Sequence, residues 1–153
     1  MKKKLSKIQF ALIILVISIV VSLPILEENL NVYFDDGSQH ISRAYSSYLS
    51  ITNGENTTVL SNLANGFGYS WDLFYGPFSV ILILLCNLIF NNFVKAYKLA
   101  MFIGLLLSGL TMYKFMSKFS KNKYIGTFAA ILYITMPYHL NDMYIRNAFG
   151  EFL

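Results

Sequence analysis

The chain has 153 residues, of which 56% are hydrophobic, 16% aromatic and only 13% charged. A soluble globular domain carries about 25% charged residues, and the high hydrophobicity also excludes intrinsic disorder. One cysteine, Cys86, excludes a disulfide framework. The formal net charge is +4, but most lysines flank or separate apolar runs, which is typical of an oriented membrane protein and not of a DNA-binding stripe. We therefore predict an all-α integral membrane protein that lies in the bilayer and binds no nucleic acid.

The first predicted span covers residues 8–26, which contain no charged side chain. A helix of this length, at ~1.5 Å per residue, is ~28 Å long and matches the ~30 Å hydrocarbon core of a bilayer. The alternative is a cleaved signal peptide, whose apolar core is shorter, ~7–15 residues, and ends at a site of small residues. Residues 1–7 include four lysines and predict a cytoplasmic N-terminus.

Residues 27–73 form a long polar segment that is poor in lysine and arginine, so we predict a first external loop. Residues 74–90 are apolar but open with a Gly-Pro pair and contain Asn87, which indicates an interfacial or re-entrant helix. The order then continues with a second span at 95–117, a cytoplasmic lysine-rich loop at 118–123, a third span at 124–140 and an external tail at 141–153. This topology obeys the positive-inside rule, and four full spans are the alternative.

Within the first loop, residues 36–49 have helical periodicity and predict a juxtamembrane amphipathic helix. Its apolar side carries Ile41, Tyr45, Tyr48 and Leu49, and its opposite side carries Asp36, His40, Arg43 and Ser47. Asp35 or Asp36 is suited to cap this helix, because a carboxylate accepts hydrogen bonds from exposed backbone N–H groups. An ordinary polar face with a capping aspartate is the simpler interpretation.

A second polar cluster, around Asp142 and Arg146, follows the third predicted span and would emerge on the same outer side. The two residues are spaced i,i+4 and are able to form an ion pair. Two acidic clusters that converge on one face could hold a divalent cation, which prefers several oxygen ligands. An arginine could bind a phosphate through its forked guanidinium.

Four motifs give the chain a resemblance to a known family. They are Asp-Asp-Gly-x-x-His-x-x-Arg after the first span, Gly-Phe-Gly-Tyr-Ser-Trp with Phe-Tyr-Gly-Pro before the next apolar segment, Lys-Ala-Tyr-Lys, and Leu-Tyr-x-x-x-Pro-Tyr-His-Leu-x-Asp-x-Tyr-x-Arg-x-Ala-x-Gly-Glu. The sequence resembles the N-terminal part of bacterial polytopic membrane proteins often labelled 6-pyruvoyl-tetrahydropterin synthase-related, with a GT-C type glycosyltransferase architecture. The pterin label has no support in the residues, since two histidines cannot form the three-histidine zinc site of that synthase.

The resemblance implies roles for individual residues. An essential acid of GT-C enzymes lies soon after the first span, a place that Asp36 and Asp35 occupy here as catalytic candidates. A second acidic motif implies a metal site for a divalent cation such as Mg or Mn. The metal candidates are Asp36, Asp142 and Glu151, and the substrate-binding candidates are His40, Arg43, Arg146 and Lys95.

The predicted function is sugar transfer from a polyprenyl-phosphate donor to a cell-envelope acceptor on the outer face of a bacterial plasma membrane. Because the family's proteins have many more spans, we expect this chain to be an N-terminal fragment. It would be inactive without the rest of the protein or another membrane subunit. The alternative is a non-catalytic membrane subunit, or a fragment of a lipid or polysaccharide exporter.

Overall fold

The computed structural model describes residues 6–26 and 36–152, and these residues are predominantly helical. The predicted all-α class is confirmed: within the two ranges no strand forms, and only Leu60 and Tyr69 pair their backbones, across the first loop. The basic N-terminus and Asp35 lie outside the described residues. The helices are α1 (Lys7–Leu26), α2 (Gly37–Thr52), α3 (Phe78–Phe90), α4 (Phe93–Phe119), α5 (Lys123–Ile134), α6 (Pro137–Asn141), a π-helical turn (Asp142–Arg146) and α7 (Phe149–Phe152).

Among the described residues, two helices are long and apolar enough to cross a membrane, Ile8–Leu26 in α1 and Phe93–Phe119 in α4. They coincide with the first two predicted spans. The helices run in opposite directions, because Phe10 near the start of α1 stacks on Tyr113 near the end of α4, with ring centroids 6.1 Å apart. Tyr124 at the start of α5 packs its ring edge-on against Phe10. One end of the bundle therefore collects the start of α1, the end of α4 and the start of α5.

The third predicted span, 124–140, is divided into two helices. α5 has 12 residues and ends at Ile134, and α6 begins at Pro137 after Met136 in an extended conformation, with φ −65° and ψ 146°. Proline disfavours the helical conformation for the residue before it and cannot donate a backbone hydrogen bond. The segment after α6 still contacts α1, because the Tyr144 hydroxyl donates a hydrogen bond to the Val21 carbonyl. A third crossing of the membrane stays a prediction.

α3 is an apolar helix of 13 residues. At ~1.5 Å per residue it is ~20 Å long, which is shorter than the ~30 Å hydrocarbon core. It joins α4 through Asn91, which adopts a left-handed conformation with φ 46°, and packs against α2 and α4. Its interfacial or re-entrant placement stays a prediction.

The packed interior lies around α4, which contacts α1, α2, α3, α5 and α7. Small residues on α4 permit this crowding: Ala96, Ala100 and Gly104 are buried, and Gly109 lies between Ile14 of α1 and Ile134 of α5. Side chains from six α-helices and the π-helical turn form the larger core cluster, among them Ile25, Ile41, Ile83, Met101, Ile134 and Phe149. α4 is therefore the central helix, against which the five other helices pack.

α2 covers most of the segment predicted as an amphipathic helix but turns the polar side of that segment inward. His40, Arg43 and Ser47 are buried, whereas Tyr45 and Tyr48 remain partly exposed and place their rings edge-on against Phe93 of α4. The polar side of α2 therefore forms a wall inside the protein and not a surface open to water.

Candidate functional site

Asp36 stands immediately before α2 and links this helix to the end of the chain. Its backbone N–H donates to the carbonyl of Arg146 at 3.0 Å. The carboxylate makes no capping hydrogen bond to α2 and lies instead 4.0 Å from the Arg146 guanidinium. Asp36 thus belongs to a polar cluster that also contains residues from the far end of the sequence.

Arg146 is the centre of this carboxylate–arginine cluster, which we define as Asp36, Asp142, Arg146 and Glu151. Its guanidinium donates two hydrogen bonds to Glu151, at 2.7 and 2.8 Å, and one to Asp142 at 3.0 Å. Such forked arginine–carboxylate pairs are stronger than neutral hydrogen bonds. Asp142 is completely buried, whereas the side chains of Asp36 and Glu151 are half exposed.

The cluster strongly affects the titration of its members. Hydrogen bonds from Arg146 and then from the Tyr138 hydroxyl, 2.9 Å away, lower the pKa of Glu151 to about 2. The same pairing with Glu151 raises the pKa of Arg146 above its already high ordinary value. Glu151 is therefore ionised at neutral pH and is a weak base.

An unusual backbone path brings these side chains together. The π-helical turn Asp142–Arg146 ends at Asn147, which has a left-handed conformation with φ 52°. The chain then folds back, and the N–H of Ala148 donates to the carbonyl of Asp142 at 3.0 Å. The Tyr97 hydroxyl of α4 donates to the Asn147 carbonyl at 2.8 Å and fixes the reversal.

His40 lies one turn into α2, stacked on Tyr97 at 6.5 Å between ring centroids and against the edge of Phe149 at 6.4 Å. Burial lowers its pKa, the charge of Asp36 raises it, and the charge of Arg43 lowers it further. The net shift is downward, so His40 is neutral at neutral pH and offers a ring nitrogen as a hydrogen-bond acceptor.

Arg43 lies on the buried polar side of α2, and its side chain is only 1% exposed. Its guanidinium donates to the carbonyls of Tyr75 and Gly76 at 3.2 and 3.3 Å. It also lies 5.5 Å from the centre of the Trp71 ring and 5.8 Å from that of Tyr75, within cation–π range. These contacts fasten the segment before α3 to α2.

These elements enclose a cavity of about 320 Å³, here called the site cavity. Carboxylates of Asp36 and Glu151 line it, together with His40 and two aromatic rings, Trp71 and Tyr75, that stack on each other at 5.2 Å. Gln39, Ala148 and Gly150 complete the lining. A smaller cavity of about 180 Å³ shares His40, Tyr75 and Gly150 with it. The lining of the site cavity therefore combines two acidic residues with two stacked aromatic rings.

The structure brings together five of the predicted site residues: Asp36, His40, Asp142, Arg146 and Glu151. Two others are placed differently. Arg43 contacts main-chain carbonyls and aromatic rings behind the cavity, and Lys95 lines a different cavity on α4. Their predicted roles toward a donor phosphate stay predictions.

The predicted metal site has an arrangement that does not fit a cation. Asp36, Asp142 and Glu151 surround the Arg146 guanidinium, which a divalent ion would have to displace. Among the described residues no three His, Cys, Asp or Glu side chains form a group that could hold a metal ion. We therefore derive no chemical step through a metal.

Tyr97, Asn147 and Tyr138 complete the site and were not among the predicted residues. Tyr97 lies in an apolar helix, where an aromatic residue gives no sequence signal for a functional site. The backbone role of Asn147 has no sequence signal except the tolerance of asparagine for left-handed conformations. Tyr138 follows a proline in a short helix that the periodicity did not separate from α5.

Comparison with known proteins places the chain in a family. No solved structure matches it. Among curated proteins, an uncharacterized protein of Lactococcus lactis subsp. cremoris (strain MG1363) is 27% identical over 139 residues. The alignment covers 90% of this chain but only 22% of that relative, so the chain spans about a fifth of its length. Residues 73–151, about half of the chain, match a family described as the 6-pyruvoyl-tetrahydropterin synthase related domain, membrane protein. The chain therefore belongs to this family of membrane proteins.

Proposed function

We propose that the chain forms part of a glycosyltransferase that moves a sugar from a polyprenyl-phosphate donor to a cell-envelope acceptor. The observation that carries this proposal is the site cavity. Its lining combines the acids Asp36 and Glu151 with the stacked rings of Trp71 and Tyr75. Carboxylates accept hydrogen bonds from sugar hydroxyls, and aromatic rings supply apolar area with a polar edge.

In the proposed reaction Asp36 is the general base. It takes the proton of the acceptor hydroxyl while that oxygen attacks the anomeric carbon of the donor sugar. The bond from this carbon to the donor phosphate breaks, and the phosphate leaves with the bonding electrons. Glu151 is a poor candidate for this role, because the forked pair with Arg146 lowers its pKa to about 2 and an efficient base has a pKa nearer the working pH.

The remaining polar groups would position the substrate and balance charge. The ring nitrogen of neutral His40 can accept a hydrogen bond from a sugar hydroxyl. Arg146 lies 4.0 Å from Asp36 and is 35% exposed on its side chain, so it can stabilise negative charge that develops beside Asp36.

We further propose that the site faces the outside of the plasma membrane and that the N-terminus is cytoplasmic. The support is the gathering of helix ends around Phe10, Tyr113 and Tyr124. This end of the bundle carries a set of lysines close in sequence: Lys114, Lys118, Lys121 and Lys123. Basic residues favour the cytoplasmic side, and the site lies toward the opposite end of α4, beside Tyr97.

Sugar transfer is proposed for the longer protein, since the chain spans only 22% of its Lactococcus relative. The test is a chimera in which this chain replaces the matching segment of that relative, assayed for sugar transfer in membrane vesicles. Asp36→Asn should reduce transfer by a factor of about 100 or more, as loss of a general base does. Glu55→Gln is the matched control, because Glu55 is an exposed acid that accepts a hydrogen bond only from Ser61 among the described residues.

Equal transfer by the Asp36→Asn and unsubstituted chimeras would remove Asp36 from catalysis and favour a non-catalytic subunit.

The chain alone permits a second measurement. Trp71 is its single tryptophan and lines the site cavity, so sugar binding should change its fluorescence. Orientation is tested by reagent access to Ser42→Cys and Lys123→Cys in a Cys86→Ser background. Labelling of position 42 from outside and protection of position 123 are expected, and the reverse pattern would refute an external site.

A further inference from the structure

The lining of the site cavity contains acids but no basic residue. Asp36 and Glu151 are its acids, and among the described residues that line the cavity there is no lysine or arginine. Arg146 pairs with both acids and also with Asp142. Because one guanidinium faces three carboxylates, two negative charges of the carboxylate–arginine cluster remain uncompensated. The cavity beside this cluster therefore attracts cations and repels anions.

Asp36 is the acid of the lining that retains its capacity for hydrogen bonds. Its carboxylate makes no capping hydrogen bond to α2, and its distance of 4.0 Å from Arg146 is too long for a hydrogen bond. Glu151, in contrast, accepts two hydrogen bonds from Arg146 and one from Tyr138. An ionised carboxylate can only accept hydrogen bonds, so the ligand group that binds beside Asp36 must be a donor.

His40 offers a second acceptor to the same cavity. Its side chain is only 7% exposed, and it lines both the site cavity and the smaller cavity next to it. It contacts the rings of Tyr97 and Phe149, but neither of its ring nitrogens has a hydrogen-bond partner among the described residues. A neutral imidazole has one acceptor nitrogen, and burial of a polar group without a partner is unfavourable. This arrangement favours a ligand that donates a hydrogen bond to His40.

Trp71 and Tyr75, here called the ring pair, add aromatic groups to this lining. The faces of aromatic rings attract cations, and the protein itself uses this property, because the Arg43 guanidinium lies 5.5 and 5.8 Å from the two ring centres. Arg43 is not among the residues that line the site cavity. Carboxylates, a neutral imidazole and aromatic rings are together the groups that suit an ammonium ion, whose N–H groups only donate.

We propose that the site cavity binds a protonated amino group of the substrate, with Asp36 and His40 as its hydrogen-bond acceptors. A primary ammonium has three N–H donors and one positive charge, so it matches both the acceptors and the uncompensated negative charge. A phosphate matches neither and would lie outside this cavity. One oxygen of the Asp36 carboxylate can hold the ammonium while the other stays available for the proposed proton transfer.

Two kinds of molecule could carry this amine, an amino sugar or an ethanolamine headgroup. Its assignment to a sugar rests on the proposed function, whereas the binding of an ammonium group does not. The test measures binding by the purified 153-residue chain in detergent. A saturable change in the fluorescence of Trp71, the single tryptophan, reports binding in the cavity that it lines. The probes are glucosamine, glucose and ethanolamine, and glucose replaces the amine by a neutral hydroxyl of similar size.

Glucosamine should bind about tenfold more tightly than glucose, because hydrogen bonds between charged groups are stronger than neutral ones. High salt should reduce this preference, since salt screens the charge of a half-exposed carboxylate. Tighter binding of glucosamine than of ethanolamine would assign the amine to a sugar, and the reverse order would assign it to a headgroup.

Asp36→Asn removes the charge, keeps the shape of the side chain and should abolish most of the preference for glucosamine over glucose. Glu55→Gln is the matched control, because Glu55 is an exposed acid outside the lining of the cavity, and it should keep the full preference. Equal binding of glucosamine and glucose by the unsubstituted chain, or an unchanged preference in Asp36→Asn, would overturn the proposal. If Asp36→Asn does not fold, a preference of the unsubstituted chain that high salt does not reduce would overturn it as well.

The measurement separates this inference from the proposed function. Binding of the three probes requires no sugar transfer, so a chimera whose transfer is insensitive to Asp36→Asn would refute the role of Asp36 as a base and leave amine binding intact. Absence of the amine preference, in turn, would refute this inference and leave the transfer of a neutral sugar open.

Discussion

The hydrogen bond between Tyr97 and Asn147 joins the central helix to the chain reversal that carries the cluster. Tyr97→Phe removes only the hydroxyl and keeps the ring that packs on His40 and Phe149. Both Tyr97 and Asn147 are 0% exposed, so no water would replace the lost hydroxyl, although the N–H of Phe149 would still donate to the Asn147 carbonyl at 3.0 Å. A typical hydrogen bond inside a protein contributes about 0.5–1.5 kcal/mol to stability, and hydrogen bonds between membrane helices average about 0.6 kcal/mol.

We expect a loss of about 1 kcal/mol for Tyr97→Phe, because the contact is short and fully buried but belongs to a membrane protein. For a chain of this size that corresponds to a fall in melting temperature of about 2–4 °C. The assay is thermal unfolding in detergent, with hydrogen exchange of residues 141–152 as the local measurement. Tyr124→Phe is the control, since Tyr124 is 56% exposed and its change should stay within about 0.5 kcal/mol. If the two variants have the same melting temperature and the same exchange, the hydroxyl does not hold the reversal.

Other predictions concern packing and pH. Gly126→Ala should lower the melting temperature and weaken the packing of α4 on α5, because an added Cβ would lie 2.9 Å from the backbone nitrogen of Ser117; Gly76→Ala, with open space around it, is the control. Glu151→Gln should abolish a pH dependence of exchange in residues 138–152. Its pKa of about 2 lies below the ordinary 4.5, so the stability it contributes is present above pH 4.5 and is lost as the pH falls toward 2. His40→Gln should flatten a different pH dependence. The lowered pKa of His40 makes the unfolded chain bind more protons, so stability falls as the pH drops below about 6.5, and an unchanged pH profile in this variant would contradict a buried neutral histidine.

Much of the helical framework could be predicted because apolar length and charge are local properties. Residues 8–26 and 95–117 correspond closely to α1 and α4, whereas the segment predicted at 74–90 is helical only from Phe78, after Gly76 and Pro77. The periodicity of residues 36–49 predicted which residues share each side of α2. It did not predict which side faces the interior, because Tyr45 and Tyr48 count as apolar although tyrosine tolerates partial exposure.

The members of the candidate site were predictable as residue types, but their arrangement was not. Aspartate, arginine and glutamate near 142–151 indicated a polar cluster. The π-helical turn and the left-handed Asn147 depend on a hydroxyl 50 residues away in the sequence, and such tertiary contacts leave no periodic signal. For the same reason Arg43 was treated as a candidate for solvent-facing chemistry, although the structure buries it against Trp71 and Tyr75.

The link from the Asp36 backbone to the Arg146 carbonyl has a consequence for biosynthesis. The ribosome makes Asp36 and α2 early and reaches Arg146 about 100 residues later. At ordinary translation rates this interval lasts about 5–20 s. During that interval the polar side of α2, which is buried in the folded protein, cannot yet pack against the carboxylate–arginine cluster. Ribosome stalling between α2 and the π-helical turn should therefore leave α2 accessible to proteases and chaperones, and release of the final segment should protect it.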